Sequence, residues 1–409
     1  MSDYKYTVAV AKTDNYSLAE VKKGVSELFY SLGYPAENPL GHIISPGMTV
    51  FIKPNWVASR WRDSCPHKDD IYSVITHPNV IEALADYVDI ALQGSGKIII
   101  GDNPSIDADF EELMELIQIS HLKEKYSVPC EILDLRPLIC TDLKYYGQQD
   151  KMVASKGDPL GQETINLGKS SMLYGVNPRL FHGVFDQRTD TIKAHTGETQ
   201  LYGFSKTIYD ADVYISVPKM KTHHKVGATL NLKGLVGTIT EKNHLVHWRV
   251  GFPAIGGDEY PDFKSWFKGN FSKVKERGAW NGNDTIWRMV VDLYHAMNLR
   301  HRKYFTVIDG IIGGQGKGPF CVHAKHSNTL LGSESLLAAD LAAVKLMGLN
   351  PEKNPYLKYF LDNEIKLEDI AILKTLTSPI SARDITGYQL DYLPSEHWKN
   401  LREDEKWLA

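Results

Sequence analysis

A chain of 409 residues with 43% hydrophobic and 23% charged residues has an ordinary globular composition, which excludes collagen-like, disordered and low-complexity polymers. Lys and Arg number 46 against 50 Asp and Glu, a net charge of −4, and this balance argues against a dedicated nucleic-acid binder. Four cysteines, at 65, 130, 140 and 321, show no CxxC spacing. Neither an all-cysteine zinc site nor an iron–sulfur cluster is expected from them, and a Cys-poor chain fits a reducing cytoplasm. The start has no apolar h-region and no apolar run approaches ~18 residues, so neither secretion nor a membrane partner is expected.

In chain order, β-rich runs alternate with helical ones. Residues 48–53 (MTVFIK) read as a buried strand, and 79–92 as a helix entered through Thr76-His77-Pro78, with Thr76 or His77 as cap. Residues 96–102 (GKIIIGD) and 130–135 (CEILDL) are short apolar runs of the kind found in strands covered on both faces. Residues 140–205 are polar and Gly-bearing and read as a small antiparallel insertion. Residues 211–219 and 303–310 are further strands. Residues 245–282, rich in Trp, Phe, Gly and Lys, read as an excursion or lid. Residues 283–300 form a helix opened by Asn283 or Asp284, and 333–348 a helix with a capping Ser that stops at Gly348. The expected fold is α/β, a mostly parallel sheet flanked by helices, with an antiparallel insertion and a C-terminal tail. Residues 1–350 would form the core in two interleaved halves, and 351–409 a wrapping segment that ends in a charged, helix-like stretch.

Polar residues follow the strands. Lys53 and Asn55 follow the first, Asp102 the second, Pro218-Lys219-Met220-Lys221-Thr222-His223-His224 another, and Asp309 the last. Each alone reads as a turn. Together they would meet in one crevice, because open parallel sheets bind ligands beyond the carboxyl ends of their strands. The stretch 218–247 also holds Lys225, Lys233, Lys242, His244 and His247. Lysines on small turns can hold a phosphate or carboxylate, and histidines can carry protons or bind a borderline metal. His244 and His247 would share a helical face as metal ligands, whereas adjacent His223 and His224 would point apart, one of them structural. The competing reading is a solvated basic segment with incidental histidines. Gly314, Gly316 and Lys317 lie in GGQGKGP, read as a flexible anion-approaching loop that is neither a Walker A loop nor a dinucleotide fingerprint. Cys65-Pro66-His67 reads as a loop, and Asp340 as either a hydrogen-bonded anchor or a site residue.

The blocks VFIKPNWV, ITHPNVIEAL, IIIGDNP, DADVYISVPKMKTHHKVGATLNLKGLVG, VIDGIIGGQGKGP and SESLLAADLAAVKLMG together resemble the family called domain of unknown function 362, from about residue 48 to 348. The resemblance implies no established reaction. Many members carry ferredoxin-like cysteine motifs that this chain lacks, so no iron–sulfur cluster is expected. The layout is also distantly similar to lactate-racemase-like proteins, from which no catalytic residue is carried over. The functional expectation is an enzyme acting on a small phosphorylated or carboxylated metabolite. Lys53, Asn55, Lys219, Lys221, Lys233, Gly314, Gly316 and Lys317 would bind it, and His223, His224, Asp102 and Asp309 would supply acid–base chemistry. A divalent metal is a second version of the same site. A non-catalytic binder of a nucleotide or sugar phosphate is the alternative. Single-stranded nucleic acid through 264–280 is the least favoured reading, and a homo-oligomer is left open.

Overall fold

A computed structural model describes residues 4–272, 275–374, 378–385 and 390–402. The charged end of the chain, expected to be helix-like, lies from 403 onward outside the described residues. The strands of the main sheet are β1 (Tyr6–Lys12), β2 (Thr49–Pro54), β3 (Lys97–Asp102), β4 (Cys130–Asp134), β5 (Val213–Val217), β6 (Lys219–His223), β7 (Gly227–Ala228), β8 (Lys303–Lys317), β9 (Cys321–Ser333), β10 (Ile370–Lys374) and β11 (Ile380–Ser381). Nine follow the order β11-β10-β1-β9-β8-β5-β2-β3-β4, while β6 joins β8 and β7 joins β6. Strands β8, β5, β2, β3 and β4 run parallel. β9 runs antiparallel to β8 and to β1.

Alternation along each strand builds two cores. Val50, Ile52, Ile98 and Ile100 pack on one face with α1 (Leu18–Ser31) and α2 (Pro78–Leu92). Phe51, Ile99 and Tyr214 pack on the other with α5 (Ile286–Asn298) and α6 (Leu336–Leu346). A sheet covered on both faces explains why its strands read as continuous apolar runs. Two shorter helices, α3 (Phe110–Ile117) and α4 (Leu230–Gly234), complete the set used below. His77, not Thr76, caps α2, its Nδ1 accepting the Asn79 N–H at 3.1 Å. Ser335 caps α6 through the Ala338 N–H at 3.1 Å.

The insertion at 140–205 does form small antiparallel ladders, 138–139 with 153–154 and 162–166 with 201–205. Asp292 of α5 anchors it, accepting from Ser171 Oγ, the Met172 N–H and Tyr202 Oη at 2.5, 2.7 and 2.8 Å. The tail does more than wrap: its strand β10 pairs parallel with β1.

Two sequence expectations are corrected here. GGQGKGP is not a mobile loop. Residues 313–317 continue β8, and β8 and β9 form one long hairpin closed at 318–320. Its glycines serve close backbone packing: a Cβ at Gly313 would strike the Tyr392 hydroxyl, and one at Gly318 the Thr222 carbonyl. The cysteines are also not all isolated, since Cys65 and Cys321, 256 positions apart, form a disulfide. That bond weighs against a permanently reducing setting. Cys130 stays buried, with its thiol pushed up to about 11 by desolvation, which makes it unreactive. The Cys65→Ser/Cys321→Ser double variant is expected to lose about 2–4 kcal/mol. Denaturant unfolding under non-reducing conditions measures this, and an unchanged midpoint would show that the bond constrains nothing.

Candidate functional site

The carboxyl ends of β2 and β3 and the length of β6 open into a cavity of about 600 Å³. β2 delivers Lys53 and then Asn55, β3 delivers Asp102, and β6 delivers Lys221 and His223. The turn after β6 adds His224 and Lys225, α4 adds Lys233, and the following chain adds Lys242 and His247. This crevice at parallel strand ends is where an open α/β sheet places its ligands. Trp248 and Phe320 give it two aromatic walls, and His182 stacks on Trp248 with ring centroids 4.6 Å apart.

Asp102 is fully committed to local order. Its Oδ1 lies 2.8 Å from Lys53 Nζ and accepts the Asn103 N–H at 2.8 Å, while Oδ2 accepts the Trp56 N–H at 2.7 Å. With both oxygens occupied, it holds Lys53 in place and is poorly suited to moving a proton. Gly237 is required at this point, because a Cβ there would come 2.7 Å from Lys53 Nζ and against Asp102 Oδ1.

Among the described residues, Lys221, Lys225, Lys233 and Lys242 have no carboxylate partner. Lys221 Nζ donates to the carbonyls of Val74 and Pro319 at 2.7 and 3.0 Å. Lys242 Nζ donates to the Asn103 carbonyl at 3.4 Å. Lys225 lies 4.3 Å from the centre of the Trp248 ring, and among the described residues neither it nor Lys233 forms an ion pair. Desolvation, reinforced by neighbouring cations, lowers Lys225 to about 7 and Lys233 to about 8. Desolvation also lowers Lys242 to about 7, against an opposing pull from Asp102. Lys221 is driven well down for the same reason, with Lys219 and Lys233 adding to it. A cluster of cations short of counter-charge has the chemistry to hold an anion.

Burial likewise keeps the histidines neutral, with nearby lysines contributing. His223 Nδ1 accepts the Lys225 N–H at 3.0 Å, so the proton of the neutral ring sits on Nε2. Among the described residues, the buried Nδ1 atoms of His224 and His247 have no hydrogen-bond partner. His223 and His224 both line the cavity, their rings nearly perpendicular at 77°, because the strand turns between them.

Several expected site residues do not join the cavity. Lys219 and Asp309 form a sealed ion pair at 2.8 Å, both fully buried, with the Tyr16 hydroxyl 2.7 Å from each. Asp309 also accepts the His77 N–H at 3.1 Å, so it is a structural anchor beside the site. Gly314 and Gly316 lie in the hairpin, and Lys317 pairs with Glu276, which does line the cavity. His244 and His247 share no helical face: a single turn, Lys242–His244, ends at His244, whose backbone carbonyl accepts from His195 Nε2 at 3.0 Å. No cluster of metal-ligating groups among the described residues includes either one. Asp340 is an anchor, accepting the N–H groups of Asn231 and Leu232 at 2.9 Å each. It fixes the turn that presents Lys233, in which Leu230 sits at φ 56.

Sequence reading did not nominate Lys225, Lys242, His182, Arg62 or Arg277, all of which line the cavity. Lys225 and Lys242 stood in the Lys/His-rich run, whose density was the available signal. His182, Arg62 and Arg277 come from the insertion, the β2–α2 connection and the 245–282 excursion, and nothing local marks them.

These features define an α/β protein with a cationic, histidine-bearing cavity at the strand ends. The family model of the domain of unknown function DUF362 matches residues 50–153 and 166–345, more than half of the chain, and the chain belongs to that family. A Synechocystis protein described as thylakoid-associated protein sll1697 is 24% identical over 151 residues, and the match spans 37% of each chain. Among solved structures, the lactate racemase apoprotein from Thermoanaerobacterium thermosaccharolyticum aligns with 85% of this chain and 58% of its own, at 13% identity and a TM-score of 0.38. No helix among the described residues is long and apolar enough to cross a membrane.

Proposed function

We propose that the chain is an enzyme acting on a small phosphorylated or carboxylated metabolite bound in this cavity. The observation that supports it is the set of cavity-lining lysines, Lys221, Lys225, Lys233 and Lys242, which have no carboxylate partner among the described residues. Lys53, held by Asp102, and Lys221, held by two carbonyls, are pre-positioned to grip an anion. Lys225, lowered to about 7, can give or take a proton at neutral pH. His223 carries its proton on Nε2, and His224 and His247 line the same cavity as neutral imidazoles. Anion grip beside proton carriers suits carbon-acid, isomerisation or group-transfer chemistry. In this reading Asp102 and Asp309 drop out as acid–base groups. For compartment, the proposal keeps the cytoplasm, where a Cys65–Cys321 bond would form transiently.

Calorimetric titration with inorganic phosphate, pyrophosphate and malonate tests the grip. At least one is expected to saturate, and Lys233→Met should weaken it tenfold or more. If none of the three binds at millimolar concentration, the anion reading fails. Once the ligand class is known, His223→Ala should abolish its turnover with thermal stability near wild type. Tight binding with no conversion by wild type would favour the alternative, a binding protein for a nucleotide or sugar phosphate.

A further inference from the structure

We propose that the connection after β2 and the β8–β9 hairpin together carry a separate site for one divalent cation of the zinc class, formed by His67, Asp69 and His323. One ligand atom from each of the three lies within 4.8 Å of the others. The two imidazoles are stacked, with centroids 3.4 Å apart, and His323 Nδ1 is 3.4 Å from Asp69 Oδ2. Two nitrogens and one carboxylate oxygen are donors suited to zinc, and three protein ligands leave a fourth position for water. Imidazole lone pairs lie in the ring plane, so one ring must swing out of the stack before both nitrogens can reach an ion at about 2.0–2.1 Å. His323 can do so by rotating its side chain, which is 54% exposed.

Three surrounding features fit ligation. His67 Nε2 lies 3.0 Å from the Val322 carbonyl; donating there leaves Nδ1 with its lone pair, the orientation that backbone carbonyls give to metal-bound histidines. Asp69 Oδ2 accepts the Ala324 N–H at 3.1 Å, which aims the carboxylate at the same place. Each histidine also stands two residues after a cysteine of the Cys65–Cys321 disulfide, so a covalent link brings the two segments together at the ligands. The other cluster of this type, Glu276, Glu396 and His397, is less suitable because Glu276 is already paired with Lys317.

The site joins the connection after β2 to the β8–β9 hairpin. Those two segments also supply Arg62 and Phe320 to the cavity wall, where the guanidinium lies 3.5 Å from the ring centre. A bound ion would pin that wall shut from outside, independently of what the cavity binds.

The test uses the tag-free, disulfide-intact chain, stripped of metal with a chelator and titrated with zinc chloride against a chromophoric competitor. One equivalent is expected at micromolar affinity or better. His67→Ala, His323→Ala and Asp69→Asn should each weaken it at least tenfold, and His247→Ala in the cavity should leave it unchanged. His323→Ala is decisive by itself, since its exposed ring has little part in folding. Absence of zinc binding, or equal affinity in the His67→Ala/His323→Ala chain, overturns the proposal. Loss of binding in His247→Ala alone also overturns it, by moving the metal into the cavity.

Discussion

Replacing Asp309 with alanine is expected to destabilise the fold by about 3–5 kcal/mol while changing the affinity of the cavity for phosphate less than twofold. Asp309 and Lys219 are both fully buried at 2.8 Å, and Asp309 also receives the Tyr16 hydroxyl and the N–H groups of His77 and Ile311. Without the carboxylate, burial leaves the Lys219 ammonium uncompensated. Desolvation already lowers Lys219, and Asp309 is the main opposing influence, so the lysine would surrender its proton, which limits the loss. Urea unfolding at pH 7 measures the first effect and phosphate calorimetry the second. A loss below 1 kcal/mol, or a tenfold loss of affinity, would make this pair part of the site rather than its support.

The second large effect has opposite signs in the two measurements. Lys225→Met/Lys233→Met should raise the stability of the ligand-free chain at pH 7, on the order of 1 kcal/mol per site after solvent screening. The same change should reduce phosphate or pyrophosphate affinity by a hundredfold or more. The reason is that the fold partly desolvates these ammonium groups and sets them beside other cations, a common stability cost of a binding site. The pH dependence has the same origin. In the unfolded chain these lysines keep their protons up to about 10.5, whereas in the fold Lys225 and Lys242 lose theirs near 7 and Lys233 near 8. Between pH 7 and 9 the unfolded state therefore binds more protons, and the stability of the wild-type chain should rise with pH. Over the same interval anion affinity should fall as the lysines become neutral. Thermal unfolding and calorimetry at pH 7, 8 and 9 would show both trends, and parallel trends would contradict the charge assignment.

The core strands were legible because a two-sided sheet leaves unbroken apolar runs such as the Ile98–Ile100 stretch. The cavity was half legible. Lys53, Asn55, Asp102, Lys221, His223 and His224 were found because strand ends are a rule-governed place for polar groups, and Lys233 because it stands in the Lys/His-rich stretch. Lys219 and Lys221 looked equivalent, yet they differ completely in role. At about 3.3 Å per residue, β6 is long enough for one end to be sealed against Tyr16 while the other reaches the cavity. GGQGKGP misled because glycine permits both mobility and close backbone approach, and only the neighbouring Tyr392 and Thr222 decide between them. Cys65 and Cys321 carried no spacing signal at all, since a separation of 256 residues reflects topology alone.

The position of β1 has a consequence for synthesis. It is made long before its two neighbours, β9 and β10, which are built from residues 321–333 and 370–374. For more than 300 residues of elongation, YTVAVAK has no native partner on either side. Such non-local pairing slows folding and leaves strand edges open to wrong partners in the meantime. The left half of the sheet must therefore assemble after most of the chain exists, around a right half whose parallel strands are already in hand. A nascent chain arrested at residue 360 should show a formed cavity wall at β2 and β3 together with a protease-sensitive N-terminal segment.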